Sequence, residues 1–455
     1  MRCKPGRLLG GAALAVFLAL PLWAAAKGRD QAAIAEVLSG KRAAANAAWW
    51  GFDPEDATTA LQAAIDSPAK TVVVPFLGSP WIIRPVRLRG NQEIVFEPGV
   101  LVLAKKGEFH GKGDSLFTAT GVSDLTLRGY GATLRMRKKD YQSSAYEKAE
   151  WRMGIALHGC RRVRIEGLRV ESTGGDGFYV DSGPGLAWSE DIIIRDCVAD
   201  DNHRQGISVI SAVNLLVENC VFSNTRGTAP EAGIDLEPDL PAQRLVNCVI
   251  RNCVFENNRG HGMLVHLHQL NGTSAPVSIR FENCLARMGH AAGQAPEEVM
   301  RENAGGSAGM AVGAAVDGGP KGLVEFVNCH SENTGREGAK VYDKSAESVL
   351  VRFTHCSWRN AWLSAAPDYG GPRVPVYLVL RRPDITRRYG GVEFVDCRVY
   401  DRVARPALQA YEETTDFGLR SVHGRIRVEN PAGARARLGA RLEDVDVQVL
   451  AATAP

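Results

Sequence analysis

Outside its first 26 residues, the 455-residue chain has no apolar stretch near the length of a bilayer span, no basic run and no C-x-x-C pair. The missing C-x-x-C removes the commonest spacing for a structural zinc or a redox pair. The formal net charge of +3 comes from 54 Lys and Arg against 51 Asp and Glu, and Arg2, Lys4 and Arg7 supply that excess. The rest of the chain is neutral, which argues against nucleic acid or an anionic membrane surface as its main partner. Long helical apolar periods are also scarce. What is present is an ordinary globular composition, 45% hydrophobic and 23% charged, unlike a disordered or membrane-embedded chain.

Arg2, Lys4 and Arg7 precede an apolar run from Leu8 to Leu22, followed by Ala24-Ala25-Ala26. This is the three-part layout of a secretory signal peptide. It predicts removal of residues 1–26, a secreted or periplasmic protein, and no membrane insertion after signal removal. Residues 27–49 then read as an N-terminal segment and 50–455 as one domain.

One period organises that domain. Alternating apolar residues, a polar residue and a cysteine recur at Cys197 (IIIRDC), Cys220, Cys253, Cys284, Cys329, Cys356 and Cys397, and Leu168 takes the same place earlier. A glycine opening a second alternating strand follows at Gly177, Gly206, Gly262 and Gly338, with extra residues before Gly233 and Gly309. Short strands at this spacing, with no helices between them, predict an all-β chain folded as a single parallel β-helix. Each coil buries its apolar face only by stacking on its neighbours. The cysteines then form an internal column of free thiols, small and apolar. Four residues beyond it, Asp201, Asn224, Asn257, Asn333, Asn360 and Asp401 predict a second, structural ladder at a turn.

Side-chain alternation assigns the faces. Phe178, Val180, Ile207, Val209, Ile234, Leu236, Met263 and Val265 point inward. Tyr179, Asp181, Asp235, Glu237 and His266 point outward, with Asp239 and His268 just beyond and Asp176, Gln205 and His261 before their glycines. Rows on one sheet lie about 4.8 Å apart from coil to coil. Two outward carboxylates two residues apart are separated by about 6.5–7 Å at their bases, within the range that admits a water between acid and base in an inverting glycosidase. Asp235 and Glu237 are therefore the sharpest catalytic candidates, and His266, one coil on, is placed to tune Glu237. The competing reading is a solvated sheet face; the four extra residues before Gly233 favour function.

Upstream, Asp53-Pro54 predicts a helix start, with Ala57, Ala60, Leu61, Ala64 and Ile65 on one face. That helix would be a short N-terminal cap on the first coil. From DATTALQAAIDS through VVVP to IIRPVRLRGNQEIVFEPGVLVLA, the chain resembles the entry segment of the pectin-lyase-like superfamily, right-handed parallel β-helices that act on polysaccharides. GGDGFYVDS is similar to a polygalacturonase strand motif that places Asp176 before the strand, and Gly260-His261-Gly262 matches that family's Gly-His-Gly. The double Asp expected one coil later is instead Asn202-His203-Arg204-Gln205-Gly206. Gln205, the Asp235-x-Glu237 pair and the following His266 resemble the iota-carrageenases, which are inverting hydrolases.

The signal segment implies export, and the resemblance implies an enzyme with a polysaccharide substrate. Asp235, Glu237 and His266 would be catalytic. Asp176, Tyr179, Asp181, His203, Arg204, Gln205, Asp239, His261 and His268 would bind substrate. No cofactor is required and no metal residue is assigned. A lyase or C5-epimerase reading keeps Tyr179 or His266 as base, with Arg204, Arg259 or calcium at Asp176 and Asp181 neutralising a uronate. A non-catalytic carbohydrate-binding surface protein is the third reading. Insertions at 104–118, 136–152, 286–308 and 362–374 are expected to wall the groove, with Tyr146, Trp151, His290 and Trp362 stacking on sugar rings.

Overall fold

The computed structural model describes residues 28–452 except 289–305, 364–372, 383–384, 386, 402 and 414–416. The signal segment, His290 and the inner parts of the insertions at 286–308 and 362–374 lie outside the described residues. The rest winds into a right-handed parallel β-helix. A central coil contributes Ser189–Arg195, Val198–Asp200 and Ile207–Val209, and the next contributes Ala212–Glu218, Val221–Ser223 and Ile234–Leu236. They stack in register, Ile192 on Leu215, Val198 on Val221 and Ile207 on Ile234.

The corners explain the asparagines. Asp196, Asn219, Asn252, Asn283 and Asn328 turn the chain with φ between 49° and 55°, a left-handed conformation that Asn and Asp tolerate better than other side-chain-bearing residues. Their side chains link coil to coil: Asn219 donates to Asp196 at 3.2 Å, Asn252 to Asn219 at 3.3 Å, Asn283 to Asn252 at 3.3 Å and Asn328 to Asn283 at 2.8 Å. The ladder expected beyond the cysteines is also left-handed from Asp201 to Asn360, though not at Asp401, and its bonds vary. Asn360 donates to Asn333 at 3.1 Å, whereas Asn224 turns to Asp200 at 2.7 Å. Asp201 is held by Lys138 Nζ and Ser172 Oγ, each at 2.9 Å.

Inside, the described cysteines are buried free thiols. Beside them the rings of Phe281, Phe326 and Phe353 stack with centroids 4.8 Å and 5.1 Å apart. All eight residues expected to point inward from the strands after Gly177, Gly206, Gly233 and Gly262 belong to this core. Two helices close the amino-terminal end. Gln31–Leu38 contributes Ile34 and Val37, and Thr58–Asp66 contributes Ala60, Leu61, Ala64 and Ile65.

The second helix starts later than Asp53-Pro54 predicts. Asp53 accepts from Glu55 N at 2.9 Å, closing a turn, while Asp56 accepts from Thr58 N at 3.1 Å and Thr58 Oγ1 at 2.5 Å and so takes over the start. Two expected sugar-stacking rings are also committed elsewhere. Tyr146 stacks on His110 at 4.8 Å and edges onto Tyr141, and Trp362 is buried. Trp151 remains exposed.

Candidate active site

One sheet of the helix carries the candidate residues. Its successive strands include Phe178–Asp181, Ile207–Val209, Ile234–Leu236, Met263–His266, Met310–Gly313 and Ala339–Tyr342. Parallel register aligns Tyr179, Ser208, Asp235 and Leu264 in one outward row. A second outward row runs from His266 over Gly313 to Tyr342.

Asp235 leaves the strand on the side away from the core, where Ile234 and Leu236 lie, yet it is only 1% exposed. An outer polar layer covers it. Gln205 donates from Nε2 to Asp235 Oδ2 at 3.0 Å and accepts from Ala232 N at 2.7 Å, so the amide is fixed at both ends. Burial raises the Asp235 carboxyl well above its usual range, and the facing Glu237 carboxyl raises it further, while Arg204 opposes both. A buried acid beside another carboxyl keeps its proton, because two like charges cannot both ionise there cheaply. Glu237 is different: its side chain is 31% exposed and reaches solvent.

Arg204 joins these acids to a third. Its guanidinium lies 3.6 Å from Glu237, 3.7 Å from Asp176 and 4.0 Å from Glu150. Asp176 is fully buried; desolvation pushes its carboxyl up to about 7, with Arg204 pulling the other way. Among the described residues neither of its oxygens has a partner at hydrogen-bond geometry. Two coils toward the amino terminus, Tyr179 donates to Asp181 at 3.2 Å, and Gln243 donates to the other Asp181 oxygen at 3.0 Å. The Tyr179 phenol is held protonated by burial and by Asp181. Asp239 is exposed, and its backbone N–H donates to Gln243 at 2.6 Å.

The histidines divide. His266 faces Glu237 electrostatically and meets the Tyr342 hydroxyl through Nδ1 at 2.9 Å. His268, with its ring centroid 6.2 Å from that of His266, accepts from Arg382 at 2.8 Å. His261 sits one coil beyond Ala232; burial, Lys340 and Arg336 push it down to about 3. His203 turns away from the acids, bonded to Gln142 at 2.7 Å and Thr228 at 2.9 Å. Arg259 likewise lies elsewhere, paired with Glu231 at 3.4 Å.

Glu150, Gln243 and Tyr342 also take part. Glu150 falls within the insertion at 136–152, which gave some signal, and Gln243 stands far along the chain from its partner and gave none. Tyr342, the outward end of the alternating strand opened by Gly338, was legible as a residue of this face but not as the partner of His266. Among the described residues no cluster of three or more His, Cys, Asp or Glu could hold a metal ion.

Residues 148–293, which include Asp176 through His268, match the family described as right handed beta helix region. Fold and match together define the class: a right-handed parallel β-helix. Two Bacillus subtilis (strain 168) proteins are similar over part of the chain. The uncharacterized protein YclG is 31% identical over 159 residues, 32% of this chain and 26% of its own length. The SPbeta prophage-derived uncharacterized protein YorA is 24% identical over 33% of this chain and 28% of its own. The chain thus aligns with about a quarter of each.

Solved structures share the fold more widely. The Yersinia enterocolitica family 28 exopolygalacturonase superposes with a TM-score of 0.57 at 12% identity, covering 91% of this chain and 79% of that one. The A-module of the Azotobacter vinelandii mannuronan C-5 epimerase AlgE6 gives 0.58 at 16%, covering 90% and 100%. The tailspike protein of E. coli bacteriophage HK620, in complex with pentasaccharide, gives 0.56 at 14%, covering 87% and 70%. At these identities the likeness is one of fold. No helix among the described residues is long and apolar enough to cross a membrane.

Proposed function

We propose that the protein is an exported polysaccharide hydrolase that cleaves with inversion, using Asp235 as general acid and Glu237 as general base. The observation that supports it is the contrast within one outward pair: Asp235 buried and holding its proton, Glu237 partly exposed beside it. A retained proton is what protonation of a glycosidic oxygen requires, and the reachable carboxyl can orient and deprotonate water. Inversion needs a water between the two carboxyls, so Glu237, the exposed member of the facing pair, would have to move away from Asp235 as substrate enters. Gln205 fixes the acid's orientation. Arg204 balances the excess of carboxyl groups, with Asp176 behind it. Tyr179, Asp181, Asp239, His261 and His268 line the groove for substrate on either side. His203, bonded to Gln142 and Thr228, contributes at most to the rim.

The lyase and epimerase reading draws less support. Arg204 is already shared among Asp176, Glu237 and Glu150 and so is a poor neutraliser for a uronate. Tyr179 donates to Asp181 and is a poor base. Calcium between Asp176 and Asp181 would have to displace Arg204 from one carboxyl and Ser182 and Gln243 from the other.

The test incubates wild type, Asp235→Asn and Glu237→Gln with a polysaccharide panel, following reducing ends, the ultraviolet absorbance of unsaturated products and the anomer first released. Reducing ends without that absorbance, an inverted first product, and losses of about 10²–10⁴-fold in each variant are expected. Unsaturated product, or C5 inversion without chain cleavage, would replace this reading with elimination or epimerisation.

A further inference from the structure

We propose that Tyr342, lying across Gly313, holds His266 as the Nε2–H tautomer and thereby makes it a hydrogen-bond donor beside Glu237, a positioning residue and not a base. Only the use of that donor rests on the hydrolytic reading; the tautomer stands or falls by itself.

His266, Gly313 and Tyr342 occupy the same row on three successive coils. Their first and last members are about 9.6 Å apart at the backbone, two coil spacings, too far for short side chains to touch. Glycine at the middle position lets a long ring bridge the gap. A Cβ on Gly313 would lie 2.4 Å from both Cε1 and Cζ of Tyr342, so the ring rests directly on the glycine backbone. Its hydroxyl then reaches His266 Nδ1 at 2.9 Å, with ring centroids 6.1 Å apart.

The direction of that bond follows from supply. A phenol has one proton to give, and among the described residues the Tyr342 hydroxyl has His266 Nδ1 as its hydrogen-bond partner. If Nδ1 carried the ring proton, it would donate to the phenol oxygen and leave the phenol's own proton without a protein acceptor in a half-buried place. A donor left unpaired there is unfavourable. Tyr342 therefore donates, Nδ1 is bare, and a neutral ring carries its proton on Nε2.

Burial favours the neutral ring, and the surrounding charges divide. Burial lowers the His266 pKa; Glu237 and Asp343 raise it, while His268 and Arg382 lower it again. His268 does not compete for the role, because its own Nε2 already accepts from Arg382 at 2.8 Å. The result is an N–H on the coil next to Glu237, suited to hold a carboxylate or a sugar hydroxyl. A ring fixed this way cannot accept a proton at Nε2, and its Nδ1 is occupied. It is a poor base for abstracting a sugar C–H proton, which separates this groove chemically from an eliminating one.

Histidine-selective ¹⁵N labelling of the whole protein tests this, with His266→Gln assigning the signals. Long-range ¹H–¹⁵N spectra at pH 7 are expected to show a bare Nδ1 and a protonated Nε2 for His266. Tyr342→Phe should convert that single tautomer to a mixture and raise the ring's titration midpoint, since a donor to the neutral form is lost. Gly313→Ala, which displaces the ring without removing the hydroxyl, should act in the same direction. A wild-type Nδ1–H tautomer, a wild-type imidazolium at pH 7, or a Tyr342→Phe spectrum identical to wild type would each overturn the proposal. In the reducing-end assay Tyr342→Phe is expected to lose about tenfold in kcat/KM. The expected spectra with no reducing ends from wild type would count against hydrolysis alone.

Discussion

Asp176 shows how a single residue ties the groove to the stability of the fold. Its carboxyl is fully buried, and desolvation raises it from the usual 3.8 to about 7, against the pull of Arg204. The folded protein therefore keeps a proton that the unfolded chain has already released. Stability from this group is complete below about pH 4 and declines as pH rises through about 7, by up to about 4 kcal/mol. Asp235 acts with the same sign, its carboxyl being raised by burial and by Glu237. Asp176→Asn carries no titrating proton and removes one of these slopes. Urea unfolding at pH 5 and pH 8 should show the variant gaining on wild type as pH rises. Parallel pH dependences would mean that the Asp176 carboxyl is ionised throughout and that Arg204 dominates its burial.

At the scale of the element, the corner matters more than the strand. Asn252 sits at φ 54°, accepts from Asn283 and donates to Asn219, each at 3.3 Å. Two effects are superimposed there, a left-handed backbone and a side-chain ladder, and two substitutions separate them. Asn252→Gly keeps the conformation and loses exposed hydrogen bonds, an expected cost within about 1 kcal/mol. Asn252→Val forces a β-branched residue into the same φ and should cost about 2–3 kcal/mol. Equal losses in denaturant melts would assign the asparagines to the ladder and not to backbone geometry. The ladder four residues beyond the cysteines was legible in the sequence because it recurs at a fixed distance from them, whereas Asn252 and its neighbours were read only as the polar residue before each cysteine. Strand register was legible for a related reason: with a side-chain period of two, one row of Phe, Ile, Val and Met settles which residues face the core. The outer layer was not. Whether outward Asp235 is wet depends on Arg204 and Gln205, 31 and 30 residues earlier, and the Tyr342 partner of His266 lies 76 residues away. The long insertion between Cys284 and Gly309 also hid that Gly313 stands between that pair. Outward position follows from local pattern, but exposure follows from what neighbouring coils lay over it.

For the whole molecule, stacking makes stability a matter of neighbours. Each coil touches the coils before and after it, and the core has no centre that all parts share. The amino-terminal end is closed by Gln31–Leu38 and Thr58–Asp66, and Leu61, wholly buried, belongs to the same apolar cluster as Val72 and Val74 of the strand Thr71–Val74. A charge at this position leaves an uncompensated carboxylate under the cap, and the loss falls first on the coil the cap covers. Leu61→Asp should therefore unzip the helix from one end. Hydrogen exchange followed by mass spectrometry is expected to show protection lost over Ala44–Asn46, Thr71–Val74 and Gln92–Phe96. The strands Phe178–Asp181, Ile234–Leu236 and Met263–His266 should keep theirs, because several intact coils separate them from the damage. If the proposed hydrolase reading holds, carbohydrate binding would then persist in a protein whose first coils are open. Uniform loss of protection along the whole stack would show instead that the β-helix folds as one cooperative body, with the acids of the groove and the distant cap sharing a single transition.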